Sequence, residues 1–486
     1  RNVIPRSAVS AYPGASETRT KGDRTGLPLD QWQMGRTGRP PVERTSERAT
    51  PYPNAIQFLD QGLCPEQRRD QMRFFFPDSQ DFVDDTFDFD SETRSDTRVR
   101  QRDDRYPHEI FSKPPYDGML VSKAVVDGIG GGSGKYSVAQ RQRFLRVGVR
   151  EYFRLENRQV ATMGDCGAFT YVKEERPPYS PSQVADFYED CGFDYGLSVD
   201  HVILSYRADL DTQLGGLNLV PEDWRSRQDL TLELAEQFLE YCGRKQYRFI
   251  PIGVAQGWSP ESYAHAVSEL QRIGYKYIAF GGFVPLKTND ILACLKLASA
   301  VRSPTTEFHL LGITRCENVE AFSGFGVVSF DSTSPLRKAF KDDKNNYYTP
   351  KGTYTALRVP QIDANPELLR KITAGKVKQE IARDLEQRCL RILAKFDRGE
   401  ASIEEAVETL CAYEEVFSGE TDHAEVYRRV LADKPWKDCS CEICQRIGIH
   451  VMIFRGAERN RRRGFHNIYV FNQQLQAHLG RVGCQS

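Results

Sequence analysis

The chain has 486 residues, 40% of them hydrophobic, and a formal net charge of −1. This length predicts two or three structural units, on the order of 150 residues each, and the charge excludes a globally basic surface for nucleic acid, so that any such surface must be local. No run approaches the roughly 20 apolar residues that span a membrane. The first residues also lack the charged and then apolar pattern of a signal peptide, and we expect a cytoplasmic protein.

The N-terminal part is predicted to be an arm with an irregular extension, residues 1–109. Residues 1–52 are rich in Pro, Gly, Thr, Ser and Arg and contain few large apolar side chains. Such a segment buries too little surface to order itself, so it is either an extended basic arm or a solvated linker. Residues 74–90 alternate Phe with Asp, which indicates a half-buried strand or an ordered loop.

A glycine-rich stretch at 128–136 is similar to a phosphate-binding loop but departs from its pattern. The glycine spacing differs, and Tyr136 follows Lys135 where a Ser or Thr would bind magnesium. We interpret the stretch as a flexible loop that follows a strand near residue 119.

Strands and helices then alternate over residues 110–362. Short apolar strands separated by amphipathic helices predict parallel strands with helices outside. Seven or more such units favour a closed (β/α)8 barrel over an open sheet. The strands are predicted at about 159–164, 199–206, 248–254, 275–280, 307–312 and 326–330. The helices are predicted at about 137–150, 181–191, 222–243, 259–273, 288–301 and 317–322.

Residues 363–486 are predicted to form a helical zinc-binding subdomain. Residues 364–418 have no strand pattern, and a last helix is predicted from about residue 467. The twelve cysteines are scattered except for one cluster, which is typical of a reducing compartment with a single metal site. Three thiols and a histidine satisfy a tetrahedral zinc ion and leave no position for a substrate, so the zinc would be structural, unless these are ordinary cysteines. The predicted ligands are Cys439, Cys441, Cys444 and His466.

Five arginines follow the cysteine cluster and form a local basic segment. We predict that they contact nucleic-acid phosphates beside the barrel. The alternative is a solvated charged face. They are Arg455, Arg459, Arg461, Arg462 and Arg463.

In a barrel of this kind, catalytic side chains project from the carboxyl ends of the strands. Asp165 and Asp331 both follow predicted strands, so they are expected to face one cavity, although each could instead be a turn or cap residue. Phe169 and Leu311 could sandwich a flat ligand, and Gln256 could bond the edge of a base by its amide. Glycines at the same ends let the backbone approach such a ligand, namely Gly257, Gly281 and Gly282.

These motifs, in this order, resemble the tRNA-guanine transglycosylase family over about residues 110–480. The family's Asp-Ser-Gly-Gly-aromatic motif is similar to Asp165-Cys-Gly-Ala-Phe169, and its Phe-Asp motif matches Phe330-Asp331. Its Cys-x-Cys-x-x-Cys motif with a later His-Asn matches the cluster at 439–444 and His466-Asn467. Its Gln-Gly, Gly-Gly-Leu and Leu-Met-Gly motifs resemble Gln256-Gly257, Gly281-Gly282-Phe283 and Leu310-Leu311-Gly312.

The resemblance implies a base exchange by double displacement. Asp331 would attack the anomeric carbon, expel guanine and hold the sugar covalently, while Asp165 would be the general acid and then the base. Phe169 and Leu311 would stack the base. An acidic group after the strand predicted at 199–206 would read the base edge, and we assign this role to Asp209.

The long N-terminal arm, and the lack of an RNA-binding appendage like that of archaeal members, favour the DNA-modifying branch of the family. The resemblance then implies insertion of a 7-deazaguanine such as 7-cyano-7-deazaguanine into DNA, with the guanosine leaving the stack first. A helper ATPase and a homodimer are possible partners. The alternatives are a tRNA-guanine transglycosylase and a non-catalytic nucleic-acid-binding subunit, and the two aspartates disfavour the latter.

Overall fold

A computed structural model describes residues 72–129, 135–418 and 423–480 of the chain. Its centre is a closed barrel of eight strands, in which β1 lies between β8 and β2 and all neighbours are parallel. The predicted (β/α)8 barrel is therefore confirmed. The strands β1 to β8 are Arg73–Pro77, Gly118–Ser122, Ala161–Asp165, Tyr195–Leu197, Ile250–Ala255, Tyr277–Phe280, Glu307–Leu310 and Val327–Asp331.

Two strand predictions need correction. The barrel begins at β1, inside the segment assigned to the N-terminal extension, so the proposed boundary at 110 is too late. In β1, Phe75 packs inside the barrel while Phe74 and Phe76 pack outside, so the phenylalanine run serves both faces of one strand. The strand predicted at 199–206 is instead β4, which ends at Leu197, followed by an apolar loop.

Helices surround the barrel, and the predicted positions are confirmed to within a few residues. Their N-termini follow capping patterns readable in the sequence, such as Ser180 and Ser259, each followed by a proline and each accepting a backbone hydrogen bond. The helices α1 to α7 are Val138–Tyr152, Pro181–Cys191, Glu222–Lys245, Pro260–Ile273, Thr288–Val301, Val319–Gly324 and Ser334–Lys341.

The C-terminal part is mostly helical, with one hairpin of Tyr347–Thr349 and Gly352–Tyr354. Its last helix packs on α7, where Gly464 allows close approach because a Cβ atom there would lie 2.5 Å from Leu336. None of the helices in the described ranges has the length and apolar character to cross a membrane. The helices α8 to α14 are Pro366–Thr373, Gln379–Asp397, Ile403–Phe417, Ala424–Asp433, Pro435–Asp438, Glu442–Ile447 and Gly456–His478.

Two segments considered in the sequence fall wholly or partly outside the described residues. The first is the arm, of which residues 1–71 are not described. The second is the glycine-rich stretch, of which residues 130–134 are not described. Tyr136, at its end, is buried and donates a hydrogen bond to Asp78.

The arginine segment is the main correction to the fold. Helix α14 begins at Gly456 rather than near 467, and its arginines face the protein body. Arg461 is half-buried and donates to the carbonyl of Phe82 at 3.2 Å. The prediction of phosphate contacts is wrong for the other four, whose exposed fractions are at most 4%: Arg455, Arg459, Arg462 and Arg463.

Internal partners explain why these arginines are buried. Glu92, in the extension, pairs with both Arg455 and Arg459. Arg462 pairs with Glu458 at 2.7 Å, one turn earlier on α14. Arg463 donates to backbone carbonyls, and burial lowers the pKa of its guanidinium to about 9. Buried charges persist only when they are paired or fully hydrogen-bonded, so these arginines tie the extension to the C-terminal helix.

We expect Glu92→Ala to destabilise the protein strongly. The substitution removes the carboxylate shared by Arg455 and Arg459, and breaking a buried pair in this way costs about 3–5 kcal/mol of unfolding free energy. The measurement is urea unfolding followed by circular dichroism. Glu400→Ala is the matched control, since it breaks an exposed pair with Arg398. Equal midpoints for the two variants would contradict the structural role of the arginines.

Candidate active site and metal centre

Asp331 ends strand β8 and is buried at the mouth of the barrel. Its Oδ1 accepts hydrogen bonds from the backbone N–H of Gly312 at 3.1 Å and from Nε2 of His309 at 3.2 Å. Gly312 has a φ of +75°, a conformation that glycine adopts readily. The carboxylate is thus oriented by the end of β7 and by the residues that follow it.

A chain of buried hydrogen bonds runs from Asp331 into the barrel interior. His309 Nδ1 lies 2.6 Å from Ser329 Oγ, which also contacts the hydroxyl of Tyr277. An ionised Asp331 only accepts, so Nε2 carries the histidine proton and Nδ1 accepts from Ser329. Burial raises the pKa of the Tyr277 phenol, which keeps it protonated as the donor at the far end. His309 is therefore fixed in one tautomer and one orientation.

Asp165 ends strand β3 beside the same mouth. Burial, followed by the negative charges of Asp200 and Asp331, raises the pKa of this carboxyl group to about 7. Hydrogen bonds from Gly167 and Ser122 lower it by less. Two carboxyl groups with different environments are the arrangement that separates an acid from a nucleophile.

The acidic group that lies beside Gln256 is Asp200, whereas Asp209, to which the base-reading role was assigned, lies apart from it. Asp209 is exposed and pairs with its neighbour Arg207 at 2.6 Å. Asp200 follows β4 at its carboxyl end, is 4% exposed, and accepts from Gln256 Nε2 at 2.6 Å. Burial raises the pKa of Asp200, whereas its hydrogen bonds to Cys166 and Gln256 lower it. A strand at 199–206 would have begun near Asp200 and placed it at the end away from the mouth, whereas the observed strand β4 ends at Leu197, before Asp200.

Gln256 is held in place on both sides. Its Oε1 accepts from the backbone N–H of Ile203 at 3.1 Å, and glycines lie directly against its amide. A Cβ atom on Gly281 would be 2.1 Å from Gln256 Nε2, and one on Gly282 would be 2.5 Å from the carbonyl of Ile203. Gly257 is likewise packed against the ring of Tyr263. Gly281 and Gly282 are therefore required by packing around the amide, and Gly257 by packing against Tyr263.

The two predicted stacking residues stand on opposite sides of the mouth. Phe169 follows β3 and Leu311 follows β7, and these strands are four apart in the eight-stranded barrel. The ring of Phe169 is 52% exposed, while Leu311 is half-buried against the interior cluster. A large exposed ring at this end of the barrel is available for contact with a ligand.

A cationic cavity that sequence reasoning missed opens at α7, the helix that follows Asp331. Its volume is about 470 Å³. Its basic lining residues, Arg337, Lys338 and Lys341, are exposed. Acidic groups, Asp342 and Asp343, lie at one end of the same cavity. These cations are exposed on the helix that follows Asp331, so they can contact a phosphate group more readily than the buried arginines of α14 can.

The four predicted metal ligands come together in one cluster. Their ligand atoms all lie within 4.8 Å of one another. The three sulfurs lie 3.4–3.5 Å from Nδ1 of His466. A tetrahedral zinc ion with normal Zn–S and Zn–N bonds would place sulfur and nitrogen about 3.5 Å apart. The donor set and its spacing therefore fit a zinc ion.

The surroundings also prepare His466 for a metal. Its Nε2 donates to the carbonyl of Tyr348 at 2.8 Å, which leaves Nδ1 free of a proton for coordination. The ring of Tyr347 stacks on the imidazole at 4.0 Å between centroids, and its hydroxyl lies 3.2 Å from Cys444 Sγ. The ligands are mostly buried under this hairpin, away from the barrel mouth.

Comparison with known proteins identifies the family of the chain. No model of a known protein family matches the chain. A DNA-guanine transglycosylase of Salmonella montevideo is 52% identical over 410 residues, which are 84% of this chain and 97% of that protein. This identity extends over nearly all of the relative. Together with the paired aspartates and the metal cluster, it shows that the chain belongs to the guanine transglycosylase family, in its DNA-modifying branch.

Proposed function

We propose that this protein replaces guanine in DNA with a 7-deazaguanine derivative, 7-cyano-7-deazaguanine being the preferred candidate, through a covalent aspartyl–deoxyribose intermediate. The observation that carries the proposal is the pair of strand-end carboxyl groups, Asp331 and Asp165, with a pKa near 7 on the latter. The relative, described as a DNA-guanine transglycosylase, supports DNA as the polymer.

In the first displacement, an oxygen of Asp331 attacks C1′ and the bond from C1′ to guanine N9 breaks. His309 and Gly312 are positioning residues here, since their hydrogen bonds aim the carboxylate. Protonated Asp165 delivers its proton to the departing purine, which leaves as neutral guanine. The products of this step are free guanine, a covalent sugar ester and an ionised Asp165.

In the second displacement, the incoming base occupies the same position. Ionised Asp165 removes the proton from its ring nitrogen, the nitrogen attacks C1′, and Asp331 leaves as a carboxylate. A carboxyl group with a pKa near 7 can both give and take a proton at neutral pH, which suits the two roles. The cycle balances without any external oxidant or reductant.

Base recognition is assigned to the groups around Gln256. The carboxylate of Asp200 would accept hydrogen bonds from the N–H groups of guanine, and Gln256 and the backbone at Gly282 would bond the other atoms of its edge. Phe169 and Leu311 would stack on its two faces. Gly281 and Gly282 leave room for the amide of Gln256, because a Cβ atom at either position would press on it, while Gly257 leaves room for the ring of Tyr263.

On the polymer, phosphates next to the target nucleotide would be bound by Arg337, Lys338 and Lys341, which replace the buried arginines of α14 in this role. A helper ATPase that opens the duplex, a homodimer and a cytoplasmic location stay predictions.

The Cys3His cluster would hold one zinc ion with a structural role. Three thiolates and an imidazole fill a tetrahedral shell, so no coordination position is open for a substrate. The ion would tie α12, α13 and α14 together beneath the hairpin of Tyr347–Thr349 and Gly352–Tyr354.

We expect Asp331→Ala to abolish the covalent adduct and to lower base exchange by about 10⁴-fold or more, as loss of a nucleophile does. The measurement is incorporation of labelled 7-cyano-7-deazaguanine into duplex DNA and, in parallel, into tRNA. Asp209→Ala is the matched control, because Asp209 is exposed and pairs only locally with Arg207. Label in tRNA alone would overturn the proposal that DNA is the substrate. An active Asp331→Ala variant would overturn the assignment of Asp331 as the nucleophile.

The release of guanine should depend on pH through Asp165. With a pKa of about 7, the acid form is complete at low pH, and the rate of guanine expulsion should fall tenfold per pH unit well above 7. Single-turnover release of labelled guanine between pH 5.5 and 9, about the range over which a group of this pKa titrates, measures this dependence. The Asp165→Asn variant should lose this fall in rate above pH 7 and most of the activity.

The raised pKa of Asp165 also makes the free energy of unfolding depend on pH. Folding opposes ionisation of Asp165, so its contribution to stability is lost as pH rises through about 7. The Asp165→Asn variant should therefore unfold at a higher urea concentration than the wild type at pH 8.5, and the difference between the two midpoints should be smaller at pH 5.

For the release experiment, a rate of guanine release that does not depend on pH would contradict the assignment of Asp165 as the general acid.

Removing the metal should unfold the C-terminal part rather than stop the chemistry selectively. We expect about one zinc per chain by elemental analysis, and a lower thermal midpoint for Cys441→Ser or after chelation, because metal binding contributes to folding. Cys411→Ser is the control, since this cysteine lies outside the cluster. A Cys441→Ser variant that keeps its fold and DNA binding but loses turnover would show that the structural role is wrong.

A further inference from the structure

Large apolar side chains are exposed on the loops at the barrel mouth. The most exposed of them is Leu214, whose exposed fraction reaches that of an extended chain, 101%. Leu204 and Leu219, on the same loop between β4 and α3, are 43% and 56% exposed, and Phe169 and Val284 project from neighbouring strand ends. Isolated exposed apolar residues need no explanation, but a group around a candidate active site marks a surface for a partner.

The loop that carries Leu214 has a firm base. Ile203, Leu210, Val220 and Trp258 form a small core of their own beneath it, and the backbone N–H of Arg207 donates to the carbonyl of Trp258 at 2.7 Å. The tip turns tightly at Gly216, where a Cβ atom would lie 2.0 Å from the carbonyl of Leu210. The leucine is thus held out from a packed support rather than from a loose segment.

The same loop is tied to the base pocket. It begins with Asp200, and the backbone N–H of Ile203 donates to Gln256. The groups assigned to recognition of the guanine edge and the exposed leucine are therefore parts of one connected element.

Positive charge lies on the side of the mouth opposite the loop that carries Leu214. The loop follows β4, whereas Asp331 and the cations of α7 follow β8, and these strands are four apart around the barrel. A nucleic acid across the mouth would meet cations on one side, the base pocket in the centre and an apolar projection opposite. This polarity fits a duplex with one nucleotide turned out of its stack.

We propose that Leu214 is a wedge that enters the DNA base stack next to the target guanine and fills the space left when that base turns into the pocket. This proposal rests on the proposed function in DNA. Turning a base out of a duplex costs a few kcal/mol, and apolar wedges inserted between base steps offset such a cost in other DNA-binding proteins. Leu214 lowers the barrier to extrusion and takes no part in bond making.

The test compares duplex with unpaired substrates. Wild-type protein, Leu214→Ala and Leu214→Met are assayed for incorporation of labelled 7-cyano-7-deazaguanine into one duplex and into its single strand. We expect Leu214→Ala to lose about tenfold to hundredfold in kcat/KM on the duplex, the equivalent of about 1.4–3 kcal/mol. On the single strand it should match the wild type, and Leu214→Met should retain duplex activity.

Leu145→Ala is the matched control, since Leu145 is 41% exposed on α1. In a second readout, 2-aminopurine placed beside the target guanine should brighten on binding of the wild type and less on binding of Leu214→Ala.

The outcomes separate the wedge from the proposed function. Wild-type protein that modifies no DNA, single-stranded or duplex, overturns the proposed function. Wild-type activity on both DNA forms, with Leu214→Ala indistinguishable from Leu145→Ala, overturns the wedge alone. An equal loss on both forms also overturns it, because a wedge is not needed where there is no stack to open. Wild-type activity on single strands only would also overturn the wedge, because the protein would then not open a duplex by itself.

Discussion

The burial of several carboxyl groups in one poorly hydrated space is the constraint on which the barrel mouth depends. Burial and the charges of Asp200 and Asp331 together raise the pKa of Asp165 to about 7. Asp331 is held by donors from β7 and from the interior, and Asp200 is held by Cys166 and Gln256. Each carboxyl group therefore has a different environment, which is the arrangement that the proposed acid and nucleophile require. A closed parallel barrel makes this possible, since it brings the ends of distant strands to one opening.

The distribution of positive charge follows from the same fold. Four arginines of the C-terminal segment are buried, and carboxylates and backbone carbonyls accept their hydrogen bonds. These contacts join the extension to α14. Among the described residues, exposed cations line a cavity on α7, directly after the strand that ends at Asp331. The near-neutral net charge of the chain is consistent with this arrangement, in which basic groups are local and close to the chemistry.

Much of this was predictable, and the failures have definite causes. Helices such as Pro181–Cys191 and Thr288–Val301 were placed correctly because periodicity and capping are local properties. Strand β4 was misplaced because the run at 199–206 is apolar. An apolar run indicates that a segment is mostly buried, but it does not distinguish a buried loop from a buried strand. Because of that single error, Asp209 was predicted to lie beside Gln256, where the structure has Asp200. His309 was overlooked although it alternates with Leu311 along β7, a spacing that would have placed both toward the interior.

The sequence by itself predicted the class of fold, the Cys3His cluster and the position of two aspartates at strand ends, because the alternation of strands and helices and the spacing of the cysteines can be read along the chain. Only the tertiary structure decided which acidic group joins Gln256, which arginines are buried and what stands behind Asp331. Those outcomes depend on partners far away in the chain: Arg455 meets Glu92 across 363 positions, and Gln256 meets Asp200 across 56. A charged residue reads the same in the sequence whether water or a carboxylate surrounds it, and the difference lies entirely in the packing that closes around it.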